Sequence, residues 1–204
     1  MVKKKKSNLD EFDGYMLSNF KSALKSVKEL KNYFFFILIL FFLVGIFGFF
    51  FPGFFEKQIL ELIADLIEKT EGMSSFELIS FIVSNNVQSS FFGLFLGVFF
   101  GIAPIIVTVV NGYVLGFVAN KTVAIEGFAI LWRLLPHGIF ELPAIILSLA
   151  VGLKLGMFLF ISKNKSLKEL WKWIKDAIRV FVFIILPLLA IAGIIEGILI
   201  VLLG

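Results

Sequence analysis

The chain has 204 residues, 59% of them hydrophobic and 27 of them phenylalanine, with a mean hydropathy of +1.01. Soluble domains are seldom so apolar, so the composition dictates an integral membrane protein, all-α and polytopic. With no cysteine and a single histidine, disulfides, thiolate metal sites, cysteine nucleophiles and a multi-histidine metal centre within one chain are excluded. The net charge of +4 is informative mainly through its placement.

Residues 1–32 carry eight lysines against Asp10, Glu11, Asp13 and Glu29. From Phe12 onward, Tyr15, Met16, Phe20, Leu24, Val27 and Leu30 recur at helical spacing. This predicts an amphipathic helix, either lying on the membrane surface or packed on the protein's own loops. The first apolar run begins near Tyr33, behind the basic segment, without a small-residue cleavage site. It is expected to remain as a span, 33–51, ended by Pro52-Gly53.

Residues 54–69 and 74–85 are expected as two extramembrane helices joined through Gly72, with Ser74 and Glu77 forming a capping box. The insertion 52–85 is acidic, with two basic residues against six acidic ones over 52–84. Residues 87–119 are almost wholly apolar. One straight helix of that length would span about 50 Å, too long for a hydrocarbon core of about 30 Å. Pro104, preceded by Gly101, is the expected break, giving spans 87–103 and 104–120.

Two further spans, 138–160 and 177–203, bring the expected total to five. Before the last, residues 166–176 place Trp171 and Trp173 among lysines, the pattern of an interfacial helix. Residues 162–179 hold six basic and two acidic groups. The positive-inside rule puts this segment and residues 1–32 on the cytoplasmic side, with four crossings between them. The N-terminus is then cytoplasmic, the acidic insertion external and the C-terminus external. Residues 33–204 read as a single membrane domain behind the basic segment 1–32.

Glycines recur at spacing four: Gly93 and Gly97, Gly112 and Gly116, Gly193 and Gly197. Such pairs let helices approach closely in lipid, either within the chain or across a homodimer. A polar cluster is expected at one depth. His137 and Glu141 share a face of the fourth span, and Glu196 lies in the outer half of the fifth. Arg133, a turn before His137, could neutralise a carboxylate, and Asn111 sits mid-way along the third span. Three readings stand: helix–helix hydrogen bonding, a proton- or ion-linked site, or an intramembrane hydrolase. There is no HExxH pattern, no identifiable base for Ser148 or Thr108 and no phosphate-binding loop, so no catalytic residue, metal or cofactor is assigned. The basic segments flank membrane, so lipids rather than nucleic acid are the expected contact.

The string Pro136-His137-Gly138-Ile139-Phe140-Glu141-Leu142-Pro143-Ala144 resembles the signature of the stage II sporulation protein M family. Asn111-Gly112 with Gly116, and Pro187-Leu188-Leu189 leading to Ala192 and Glu196-Gly197, resemble it too, over residues 33–203. The resemblance implies about five spans. It also implies a scaffold, since the best-known members recruit peptidoglycan-degrading enzymes to the septal membrane during engulfment. The chain is more similar to the broader group from non-sporulating bacteria and archaea. The expected function is therefore a non-enzymatic membrane scaffold or assembly partner for envelope proteins. The alternative is a transporter or channel component using the His/Glu cluster.

Overall fold

The computed structural model of the chain describes residues 8–129, 131 and 135–203, with side chains described for 12–129, 131 and 138–195. Nine α-helices are found among these residues: α1 (Asn8–Glu29), α2 (Lys31–Phe50), α3 (Glu56–Thr70), α4 (Ser75–Leu96), α5 (Ile102–Glu126), α6 (Leu135–Gly156), α7 (Phe158–Ile161), α8 (Leu167–Val180) and α9 (Leu186–Leu203). Five stretches are long and apolar enough to cross a membrane: Lys31–Phe50, Ser75–Leu96, Ile102–Glu126, Gly138–Gly156 and Leu167–Ile195.

Three expected boundaries are corrected. The helix expected over 74–85 is not separate from the second span, because α4 runs unbroken from Ser75 to Leu96. Ser84, Asn85, Asn86 and Gln88 read as a polar end, yet polar side chains leave the backbone ladder of a helix intact. The expected capping box does open α4: the Ser74 N–H donates to Glu77 Oε2 at 2.8 Å, and the Glu77 N–H donates to Ser74 Oγ at 3.4 Å.

The break after the second span also moves, from Pro104 to residues 97–101. There Phe100 and Gly101 take left-handed φ angles of 58° and 70°. Pro104 instead sits buried in the first turn of α5. A proline is tolerated there because first-turn N–H groups have no helical partner. Finally, the interfacial helix and the last span are continuous, α8 passing into α9 through a π-helical stretch, Phe181–Ile185. Pro187 explains the widening, since its ring obstructs the carbonyl one turn back and it offers no N–H.

Two glycine seams hold the bundle. On the first, α2 meets α5. A Cβ at Gly48 would lie 2.5 Å from the Tyr113 carbonyl oxygen, and one at Gly112 would lie 2.6 Å from that of Phe41. A Cβ at Gly116 would collide with the Gly45 carbonyl oxygen. On the second, α4 meets α6, where a Cβ at Gly152 would lie 2.6 Å from the Gly93 carbonyl oxygen. Gly97 faces Gly152, and Gly156 faces the Gly101 N–H. Helices approach this closely only where side chains are absent, so dispersion and interhelical contacts replace the hydrophobic force that lipid removes. α6 is the central helix, with residues 146–153 buried without interruption. α9 closes on α4 where Gly193 meets Val83.

The two basic segments lie at one end of the bundle. Arg179 Nε of α8 donates to Asn19 Oδ1 of α1 at 2.9 Å, and Lys154 at the end of α6 pairs with Glu29 of α1 at 3.2 Å. The acidic α3 caps the opposite end.

Candidate functional site

The polar side chains fall into three groups, one at each end and one at mid-depth. At the basic end, α1, α6 and α8 enclose a cleft of about 400 Å³. α8 is strongly amphipathic: Ala177 and Val180 are buried, while Lys168, Lys172, Lys175 and Arg179 follow one another at helical spacing. Lys154 lies 5.4 Å from the Trp173 ring centroid, and Trp173 Nε1 donates to Glu169 Oε1 at 3.2 Å. Arg179 also pairs with Asp176 at 2.8 Å. Lys154 thus snorkels onto an indole and a carboxylate of its own chain.

At the opposite end, α3 is tied down at its start. Lys121 of α5 pairs with Glu56 at 2.5 Å, and the Tyr113 hydroxyl donates to the Phe51 carbonyl at 2.7 Å. Ile59 is buried against Tyr113 and Phe117. Ile63 packs on the same cluster, but farther round and along α3 no described residue covers the apolar face: Leu62, Leu66 and Ile67 are exposed beside Glu61, Asp65 and Glu68.

Of the residues expected in a His/Glu cluster, Arg133 lies outside the described residues, as do the side chains of His137 and Glu196 and the surroundings of Gly197. The backbone of His137 belongs to α6 and that of Glu196 to α9. Glu141 is half-buried and engaged in a polar interaction. Asn111 is exposed, its amide donating to the Val107 carbonyl of its own helix at 2.8 Å. It lines a cleft of about 360 Å³ between α4 and α5, facing Asn85, Gln88 and Ser89. Gly93, Gly97, Gly112, Gly116 and Gly193 all pack within the chain. Among the described residues no group of His, Asp or Glu could hold a metal ion.

Sequence reasoning missed the bonds that join the basic segments. The available signals were Asn19, a lone amide on the apolar side of α1, and Glu29, the one carboxylate among Lys21, Lys25, Lys28 and Lys31.

The family profile for Stage II sporulation protein M matches residues 33–199, from the start of α2 to near the end of α9. An uncharacterized protein of Methanocaldococcus jannaschii, MJ0706, is 38% identical over 95 residues, which is 45% of this chain and 42% of that relative. The chain therefore spans less than half the length of this curated relative. No solved structure matches. A multi-pass helical bundle with five candidate spans, matched by one profile across nearly all of them, belongs to the Stage II sporulation protein M family.

Proposed function

We propose that the chain is a non-enzymatic membrane scaffold or assembly partner. Its basic end would be cytoplasmic, with α3 and the C-terminus external. The observation that carries this reading is α3. One side of its first turn is bolted to α5, while Leu62, Leu66 and Ile67 stand exposed among carboxylates. A short amphipathic helix pinned at its start to α5, with part of its apolar face exposed, is the form of a docking element. Family membership agrees, because the recruiting role implied by the resemblance needs such a surface and no reacting group.

The test is a pull-down from native membranes comparing the intact chain with a Leu62→Ser, Leu66→Ser, Ile67→Ser variant. The reading predicts that envelope partners recovered with the intact chain are lost with the variant. Equal recovery would contradict it. Deleting 54–85 would be a poor substitute, since it removes half of α4. Orientation is tested separately with Lys57→Cys and Lys172→Cys. An impermeant maleimide applied to intact cells should label only the first.

For the His/Glu cluster, helix register supports a locking role. α4 and α6 run parallel, with Gly93 against Leu149, and Val83 of α4 meets Gly193 of α9. Val83 precedes Gly93 by as many residues as Ile139 precedes Leu149. Ile139 and Gly193 thus share a level, and the backbones of His137 and Glu196 lie within about one turn, roughly 5 Å, of it. Groups at one depth in lipid find each other. The same register favours a second reading, a proton- or ion-linked pathway. Flux in liposomes that disappears in Glu196→Gln would establish that pathway; the scaffold reading predicts no flux from the intact chain.

A further inference from the structure

The outer half of α4 carries an uncharged polar stripe on a surface that no other described element covers. Ser80, Ser84, Asn85, Gln88 and Ser89 fall at helical spacing, and all five are exposed. Asn85, Gln88 and Ser89 sit at the middle of a candidate span, Ser75–Leu96, and across the cleft Asn111 sits near the middle of another, Ile102–Glu126. The flanks are those of a lipid-facing surface: Phe92 is 54% exposed, Ile106 55% and Val110 51%. No described group bonds the amides of Asn85 or Gln88. An amide left unpaired in hydrocarbon is strongly unfavourable, so this face must meet polar groups.

The glycine pairs Gly93/Gly97, Gly112/Gly116 and Gly152/Gly156 cannot supply the contact, because each is already closed against another segment of the chain. Charge does not select the partner either, since no ionisable group belongs to the stripe. What the stripe offers is self-complementarity. Each primary amide carries two donors and an acceptor, and each hydroxyl one donor and two lone pairs. A two-fold copy about the membrane normal would bring residues of equal depth together and let every group find a partner in its own twin. We infer that the α4 stripe is the contact between two copies of this chain, with the amides of Asn85, Gln88 and Asn111 bonding across a dimer seam. This inference is independent of the scaffold reading, which concerns α3.

Because the chain has no cysteine, single substitutions report the seam directly. Ser84→Cys and Ser89→Cys would each be placed in the full-length chain and oxidised in native membranes with a permeant copper catalyst. Both should give a disulfide-linked species of twice the 23.0 kDa chain. Leu43→Cys, on a lipid-facing position of α2 that is 60% exposed, should not. Adding Asn85→Leu with Gln88→Leu keeps the helix apolar and should lower the crosslink yield about tenfold. The inference is overturned if neither α4 position crosslinks, if Leu43→Cys crosslinks equally well, or if the leucine pair leaves the yield unchanged. It is equally overturned if an impermeant maleimide labels both α4 positions fully, which would mark a water-filled cleft, or if the only crosslinked species contains a different protein.

Discussion

Two of the helices beside α5 meet it in opposite ways. α4 precedes it in the chain, joined by the tight reversal at residues 97–101, and leaves it across an amide-lined cleft. α2 is separated from it by α3 and α4, and locks against it glycine to carbonyl. In water a helical hairpin buries apolar surface against its sequence neighbour. In lipid every apolar surface is already satisfied, and what decides neighbours is how closely two backbones can approach. Gly45, Gly48, Gly112 and Gly116 grant that approach to α2 and α5, whereas Asn85, Gln88 and Asn111 withhold it from α4 and α5.

The comparison breaks most sharply at Gly116. A leucine side chain at this position would have to pass through the Gly45 carbonyl, so Gly116→Leu should cost about 3 kcal/mol or more, or prevent assembly. A Cβ at Gly53 meets nothing within 4 Å, so Gly53→Ala should change stability by less than about 0.5 kcal/mol. Unfolding in detergent, followed by circular dichroism, measures both. A Gly116→Leu protein as stable as the parent would mean that the α2–α5 seam is not what holds the bundle.

A smaller effect sharpens the second seam. Ser148 Oγ of α6 donates to the Ser90 carbonyl of α4 at 2.6 Å, and both residues are buried. Ser148→Ala should cost about 1 kcal/mol. Among the described residues Ser90 Oγ is buried without a partner, so Ser90→Ala should be neutral or slightly stabilising on the same measurement. The smallest expected effect is at α3. Lys121 and Glu56 are each more than two-fifths exposed, so a double-mutant cycle should give a coupling of about 0–1 kcal/mol that declines with added salt.

Much of this was legible in the residues. Hydropathy, helix length and charge placement together set the count of five candidate spans, and the lysine-rich segments 1–32 and 162–179 were expected at one end, where Arg179 meets Asn19. Ser74 and Glu77 announced the start of α4. What misled was punctuation. Pro104 reads as a break, yet it is silent in a first turn, and the reversal instead uses Phe100 in a left-handed conformation that no composition rule anticipates. Polar letters at 84–88 read as an end of the membrane, but they are a face of a continuing helix. The glycine pairs were legible as packing sites but not as pairs with named partners, because spacing along one helix says nothing about which other helix completes the seam. Asn111 was singled out as a polar group midway along a span, and it lines the cleft between α4 and α5. Its place on an open cleft could not be read without knowing which way α4 leans.

The most direct test is a set of four spin-label distances in otherwise cysteine-free chains. Ile39→Cys with Val109→Cys and Phe50→Cys with Ile125→Cys report α2–α5 at two depths. Phe92→Cys with Ile106→Cys and Phe76→Cys with Ile125→Cys do so for α4–α5. If close approach at glycine sets the neighbours, the α2–α5 separation stays nearly constant between its two depths while the α4–α5 separation widens away from the 97–101 reversal. An α4–α5 separation that stays constant, or an α2–α5 separation that widens, would contradict it.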